Sequence, residues 1–158
     1  MKNDRIPASV LSAKLIPNAD PSLLKALKVP GKYRSLGLIT SDCDDVAYTA
    51  LDEATKKADV AVVYARSMYA GSDNANTRLA GEFIGILAGP DPEEVRSGID
   101  AAVDFINNDA AFYSADDENQ IIYYAHCISR TGSYLSKQAK VPEGTAMAYL
   151  KDSFLFLK

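Results

Sequence analysis

The chain has 158 residues, 47% of them hydrophobic, and 21 acidic against 17 basic residues give it a formal net charge of −4. This composition is ordinary for a globular protein with a real core, and the lack of a basic stripe argues against a nucleic-acid partner. The two cysteines have no paired spacing, and the N-terminus has no apolar segment. No apolar run reaches the ~18 residues that a spanning helix needs. These features predict a reduced, cytosolic protein.

The first half of the chain predicts a strand, a short helical turn and then a strand–helix–strand unit. Residues 10–16 have strand composition, and the turn that follows opens at Pro21 and closes at Pro30. Residues 33–40 are bounded by turn residues, and the compact apolar run at 60–64 predicts a second buried strand. Between these strands, one helical face has small or apolar residues at helical spacing: Ala47, Ala50, Leu51, Ala54 and Ala58.

The second half of the chain begins with a polar loop at 67–77, and loops of such composition lie at the surface and often carry function. Asp91, Pro92 and Glu94 then form a strong helix start, because Asp is a favoured N-cap, Pro suits the first helical position and Glu stands three residues on. This helix is predicted to end at 107–109. The other predicted elements are strands at 80–88, 121–128 and 145–150, a short helix at 132–139 and an acidic linker at 116–119.

Two segments of the chain match each other at a constant separation of 112 residues. The simplest interpretation of such a match is a duplication, with two copies of one α/β domain. The second copy lacks a counterpart of the helix and strand at 44–66. The matched pairs are Ala13 and Ala125, Ile16 and Ile128, Leu23 and Leu135, Lys25 and Lys137, Lys28 and Lys140, Val29 and Val141, Pro30 and Pro142, and Leu38 and Leu150.

Three long stretches, in order along the chain, carry a resemblance to a known family. They are residues 34–71, from RSLGLITSDCDD to YARSMYAG, residues 80–106, AGEFIGILAGPDPEEVRSGIDAAVDFI, and residues 129–137, SRTGSYLSK. Together they resemble the tandem-domain, L-type shell proteins of ethanolamine-utilisation bacterial microcompartments. The resemblance covers nearly the whole chain up to Leu150.

The resemblance implies a fold, an assembly and a role. The fold class is α/β (α+β), with ferredoxin-like, circularly permuted shell domains: a first domain at 1–109 and the beginning of a second, incomplete one at 110–158. Three chains of that family form a flat pseudohexameric tile, which joins other shell proteins around ethanolamine-degrading enzymes. The pores of the tile pass small metabolites, so the resemblance implies a structural protein of the microcompartment shell, without a cofactor.

Acidic residues supply the candidate binding site. From the sequence alone, Asp42, Asp44 and Asp45 are most simply explained as residues at a helix N-terminus, where acids interact with unpaired N–H groups and the helix dipole. The resemblance adds a second role, because it places Asp44, Asp45 and Glu82, with the segment at Phe112, around small pores that can hold ethanolamine. A carboxylate suits the ammonium of that ligand, since charge-assisted hydrogen bonds are the strong ones.

Two aromatic residues are candidates for a pore gate. Tyr69 and Phe112 stand in predicted loops, where each could simply fill a local apolar gap. The resemblance implies instead that aromatics in these loops cluster near the threefold axis and block the central pore. The loop at 67–77 is flexible enough by composition to open it.

Other residues with chemical potential have simpler explanations. His126 and Cys127 are neighbours in a predicted strand, so their side chains point to opposite faces and form no metal or nucleophile site. Arg130 and Ser133 (SRTGSY) resemble an anion-binding turn, although no long helix follows. Without a nucleophile–base set, a paired-cysteine metal motif or a dinucleotide fingerprint, the chain is not expected to be an enzyme.

Two function classes remain from the sequence. The first is the shell tile, and the alternative is a soluble small-molecule-binding regulatory module of ferredoxin-like fold; their assembly states distinguish them. The sequence also predicts that the strand at 121–128 and the apolar tail at 154–157 expose apolar surface and strand edges, because the helices that cover the first copy have no counterpart in the second.

Overall fold

A computed structural model of the chain describes residues 1–68 and 82–154. Eight strands form two antiparallel four-stranded sheets, with strand orders β1-β6-β7-β8 and β2-β3-β5-β4. The elements are β1 (Arg5–Pro7), β2 (Val10–Ile16), α1 (Pro21–Ala26), β3 (Ser35–Ser41), α2 (Asp44–Lys57), β4 (Ala61–Met68), β5 (Glu82–Gly89), α3 (Pro92–Asp104), a π-helical turn (Phe105–Asp109), β6 (Ala111–Ser114), β7 (Ile121–Ile128), α4 (Ser133–Ala139) and β8 (Met147–Phe154).

The two long helices begin in different ways. The Asp91 side chain accepts hydrogen bonds from the backbone N–H groups of Glu93 and Glu94, both at 2.9 Å, so α3 starts at the predicted cap. Helix α2 has Cys43 at its N-cap, without a side-chain hydrogen bond. Its acidic first turn is partly self-capped, because Asp44 Oδ1 accepts the N–H of Asp45 at 2.8 Å.

Both sheets contribute to one core around α2 and α3. Small residues let the sheets approach α2 closely, and Ala50 and Ala54 are completely buried on it. A Cβ at Gly85 of β5 would lie 2.8 Å from a methyl group of Leu51, so a larger residue here would require the Leu51 side chain to shift. A second, smaller cluster on the other face of β3 and β5 packs against residues of α1 and its flanking turns.

The duplication predicted from the sequence is visible in local geometry. At a separation of 112 residues, β2 corresponds to β7, α1 to α4 and β3 to β8. Lys28 and Lys140, which follow the matched helices, both have left-handed backbone conformations, with φ of 53° and 56°. The backbone hydrogen bonds there also match. In the first copy, Val29 N–H donates to Leu24 O and Lys28 N–H donates to Lys25 O. In the second copy, Val141 N–H donates to Ser136 O and Lys140 N–H donates to Lys137 O.

No sequence pattern indicated the N-terminal strand β1. It pairs with β6, with Ile6 opposite Phe112, so the first residues of the chain join the second sheet. The placement of Phe112 in a loop was therefore wrong. Its segment is the strand β6, because it pairs with β1 on one side and with β7 on the other. Ala111, Phe112 and Ser114 are buried there.

The predicted exposure of 121–128 was wrong for one face of β7. Ile122, Tyr124 and Ile128 are buried, because this face packs on the same core as α2. The opposite face is open as predicted for this strand, with Ile121 42% exposed, and Leu150 of the neighbouring strand β8 is 73% exposed. Residues 155–157 of the tail predicted to be exposed lie outside the described residues. One long helix thus serves both sheets, which local sequence patterns do not show. No helix among the described residues is long and apolar enough to cross a membrane.

The carboxylate of Asp52 attaches the second copy to α2. Asp52 is 1% exposed, and its two oxygens accept the N–H groups of Gly132 and Leu135, each at 2.8 Å. Thr55 Oγ1 accepts the N–H of Ser133 at 3.1 Å. Three backbone N–H groups at 132–135 are therefore bonded to side chains of α2. A Cβ at Gly132 would lie 2.7 Å from the backbone oxygen of Asp52, so the turn needs glycine here.

Replacing Asp52 with alanine should lower the free energy of unfolding by about 2–4 kcal/mol, because two buried N–H groups lose their acceptor. Urea denaturation followed by circular dichroism measures the loss. Asp100→Ala, at an exposed position of α3, is the matched control and should change stability by less than about 0.5 kcal/mol. Equal stability of the two variants would show that the Asp52 contact does not hold α4.

Candidate functional site

The two aspartates that open α2 have different partners. Asp44 Oδ2 accepts a hydrogen bond from Ser67 Oγ of β4 at 2.8 Å, and the N–H of Ser67 donates to Tyr48 OH at 3.1 Å. Asp45 Oδ1 accepts a hydrogen bond from Tyr149 OH of β8 at 2.8 Å. The N-terminus of α2 is therefore joined to the first sheet through Asp44 and to the second sheet through Asp45.

Asp45 is an unfavourable place for a negative charge. The residue is only 8% exposed. Burial raises the pKa of its carboxyl group above the usual range, and the neighbouring carboxylate of Asp44 raises it further. The hydrogen bond from Tyr149 and the charge of Lys151 lower the pKa, but these effects are smaller. Burial and the nearby carboxylates also raise the pKa of Tyr149, so this hydroxyl stays protonated and remains a donor.

Glu82 lies at the same end of the first sheet as Asp44. In the pairing of β4 with β5, Ser67 stands opposite Phe83 and Met68 stands opposite Glu82. Glu82 is half-buried. The pairing places Glu82 at the end of the sheet where α2 begins. Its side chain alternates with that of Phe83, which packs into the core beside α2, so Glu82 faces the opposite side of the sheet from Asp44 and Asp45. Asp44 and Asp45 are neighbours, and the carboxylate of Glu82 is not placed beside them.

Phe112 belongs to the core. It is 3% exposed, and its ring stacks on that of Tyr124 with 5.4 Å between the ring centroids. Tyr124 OH lies 2.8 Å from Thr49 Oγ1, which in turn contacts the backbone oxygen of Asp45 at 3.2 Å. Phe112 therefore contacts Asp45 only indirectly, through Tyr124 and Thr49. Tyr69 and residues 70–77 of the predicted loop lie outside the described residues, whereas Ser67 and Met68 belong to β4.

A cleft of about 520 Å³ lies between β4 and α4, and its lining residues do not include Asp44, Asp45 or Glu82. Its walls include Tyr48, which contacts Ser67, and Tyr149, which contacts Asp45. Tyr134 of α4 completes an aromatic surface, because its ring stacks on that of Tyr48 with 6.4 Å between centroids. The cleft has room for a small organic molecule, and its walls combine apolar ring faces with hydroxyl groups.

Sequence reasoning missed the residues that position the acids. Ser67, Tyr48 and Tyr149 hold the two aspartates, yet none of them stands in a recognisable motif. The contact between Asp45 and Tyr149 joins residues 104 positions apart. Only the packing of β8 on α2 creates it, so no local pattern could have indicated it.

The other candidate side chains form no second reactive centre. The His126 ring packs edge-on against Phe105, with centroids 5.1 Å apart, while Cys127 is exposed. Burial lowers the pKa of His126. Within residues 1–68 and 82–154, no group of three histidine, cysteine or acidic residues is arranged to hold a metal ion.

Comparison with known proteins identifies the family. The model of the BMC domain matches residues 35–116. The bacterial microcompartment shell protein EutL of Clostridium perfringens (strain 13 / Type A) is 63% identical over 150 residues, which are 95% of this chain and 69% of that protein. EutL of Salmonella typhimurium (strain LT2) is 50% identical over 147 residues, or 93% of this chain and 67% of that protein.

Solved structures agree with this result. The crystal structure of the ethanolamine utilization protein EutL from Leptotrichia buccalis matches with a TM-score of 0.89 at 63% identity, covering 95% of this chain and 69% of that one. The matched region contains both sheets and the carboxylate region between them. A close match in sequence and in fold over nearly the whole chain shows that the chain belongs to the BMC-domain family and, within it, to the EutL shell proteins.

Proposed function

We propose that this chain is a structural subunit of the shell of an ethanolamine-utilisation microcompartment in the bacterial cytoplasm. The observation that carries the proposal is the 63% identity to a EutL shell protein over 95% of the chain. A shell subunit assembles with copies of itself and with other shell proteins, and the expected assembly of this chain is a homotrimer. Its role is structural and pore-forming rather than enzymatic.

We infer that two shell-domain units contribute to this structure, the first at 1–109 and the second at 110–158. The repeated β–α–β order at a separation of 112 residues supports this division. Strand β1 crosses the boundary, because it pairs with β6 of the second unit. The Asp52 contact also crosses it, so the two units do not behave as independent bodies.

We further propose that Asp44, Asp45 and Glu82 bind the ammonium group of ethanolamine. The carboxylates of Asp44 and Asp45 at the start of α2 attract a small cation, and a buried carboxylate such as Asp45 gains most from a positive partner. Glu82 is included because the family resemblance places it at the small pore. The tyrosine-lined cleft offers room and hydroxyl groups for the alcohol end of the ligand. Phe112 supports the site from the core, and Tyr69 remains the proposed gate of the pore.

The pH dependence of ethanolamine binding tests the role of Asp45. The ammonium stays charged throughout, and it favours the ionised carboxylate, so affinity should be constant above the raised pKa of Asp45 and fall as pH decreases through it. Isothermal titration calorimetry at a series of pH values measures this. Asp45→Asn should weaken binding at neutral pH by at least about tenfold and remove most of the pH dependence.

Asp100→Asn, on the exposed side of α3, is the charge-matched control and should bind ethanolamine like the parent chain. Equal affinity of the parent and Asp45→Asn would exclude Asp45 from the binding site. That result would leave the shell role standing, since the shell role is supported by the family relationship.

The same substitution should have the opposite effect on stability. The pKa of Asp45 is raised in the folded protein, so its ionisation costs stability at neutral pH, and stability is recovered as pH falls through the raised pKa. Asparagine keeps an oxygen acceptor for Tyr149 without the charge. The melting temperature of Asp45→Asn at pH 7 should therefore equal or exceed that of the parent, and a clear decrease would contradict the assigned cost of the charge.

Electron microscopy of the purified protein tests the shell assignment. Two-dimensional class averages should show flat particles or sheets with threefold symmetry, because a tile repeats one contact around a closed axis. Light scattering supplies the mass in solution. A monomer with a single ligand pocket at all concentrations would contradict the tile and favour the soluble regulatory module.

A further inference from the structure

A second cavity of about 480 Å³ lies at the other end of α2, next to the turn that Asp52 holds. Its lining residues are Thr55, Lys56, Arg130, Thr131, Glu143 and Gly144. The N–H groups of Gly132 and Leu135 are already bonded to Asp52, so they are not available to a ligand here. A ligand in this cavity would therefore contact side chains rather than these backbone groups.

Two cationic side chains line the cavity and have unused donors. Lys56 Nζ donates to the backbone oxygen of Arg130 at 3.0 Å and lies 2.6 Å from Glu53 Oε2. An ammonium has three N–H groups, so one remains after these two contacts. The guanidinium of Arg130 makes neither a hydrogen bond nor an ion pair with the described residues, which leaves its five N–H donors for a ligand.

Thr131 adds a buried hydroxyl group to the wall of the cavity. The residue is 1% exposed, and its hydroxyl has no hydrogen-bond partner among the residues that the structure describes. Its backbone is fully used, because the N–H donates to Thr145 O at 3.0 Å and the carbonyl accepts from Gly144 N–H at 2.9 Å. A buried hydroxyl without a partner is costly, so this position gains from a ligand that accepts or donates a hydrogen bond.

Glu143 also lines the cavity, so an exposed carboxylate accompanies the two cationic side chains. A fully ionised anion such as sulfate would meet repulsion from this carboxylate. Inorganic hydrogen phosphate keeps one proton at neutral pH, so it can donate that proton to a carboxylate while its other oxygens accept from cations. A phosphate ester, with a second pKa of about 6, has mostly lost this proton at pH 7.5.

We propose that this cavity binds inorganic hydrogen phosphate. Arg130 and Lys56 donate hydrogen bonds to its oxygens, and the Thr131 hydroxyl is a further partner. Glu143 accepts a hydrogen bond from its P–OH group. The site is independent of the carboxylate region and of the proposed shell role. It joins both sequence copies, because Lys56 comes from α2 of the first copy and the other three residues come from the second.

Equilibrium dialysis of the full chain with radiolabelled inorganic phosphate, at pH 7.5 and constant ionic strength, tests the site. The parent chain should bind one phosphate saturably, and excess sulfate or glycerol phosphate should compete only weakly. Arg130→Gln should weaken binding by at least about tenfold, since a charge-assisted contact is lost. Arg96→Gln, at an exposed position of α3, is the matched control and should leave binding unchanged.

Two further variants separate a ligand site from a purely structural role. Thr131→Val keeps the shape of the side chain and removes the unpartnered hydroxyl, so it should weaken phosphate binding by about fivefold without lowering the melting temperature. Glu143→Gln removes the repulsion, so sulfate should now compete with phosphate. Non-saturable binding, equal affinity of Arg130→Gln and Arg96→Gln, or sulfate competing equally in the parent chain and in Glu143→Gln would each overturn the proposal.

Discussion

The contact between Asp52 and the start of α4 is the interaction on which the arrangement of the two sheets depends. One buried carboxylate satisfies two N–H groups of the second copy, and Thr55, one turn further along α2, satisfies a third. A buried charge is tolerated only where hydrogen bonds replace the lost water, and this one has two from backbone donors. The second copy is therefore attached to α2 at a defined point and in a defined orientation.

That attachment determines the geometry of the carboxylate region at the other end of α2. Asp45 meets Tyr149 only because β8 lies over the start of α2, and β8 is connected to α4 by a short segment held by backbone hydrogen bonds. Asp44 meets Ser67 through the first sheet. Residues of both sequence copies therefore meet at the start of α2, with Asp44 and Asp45 from the first and Tyr149 from the second.

Burial and the neighbouring carboxylate of Asp44 both disfavour the negative charge of Asp45, so ionisation of this side chain lowers the stability of the folded protein. Ionisable groups in such surroundings occur preferentially at functional sites, and removing them often stabilises a protein while it abolishes binding. This tension, together with the neighbouring tyrosine cleft, distinguishes Asp45 from Asp91, which does no more than cap a helix.

Local sequence patterns were sufficient to predict both long helices, most of the strands and the repeat. Helix α3 begins at Asp91 because capping depends on neighbours within one turn, and the repeat is a matter of composition at a fixed separation. The pairing of β1 with β6, the bonds from Asp52 to the start of α4, the contact of Asp45 with Tyr149 and the burial of Phe112 became visible only in three dimensions. The first three join residues 80 or more positions apart, and they depend on how one helix packs between two sheets, a property that no short stretch of sequence contains.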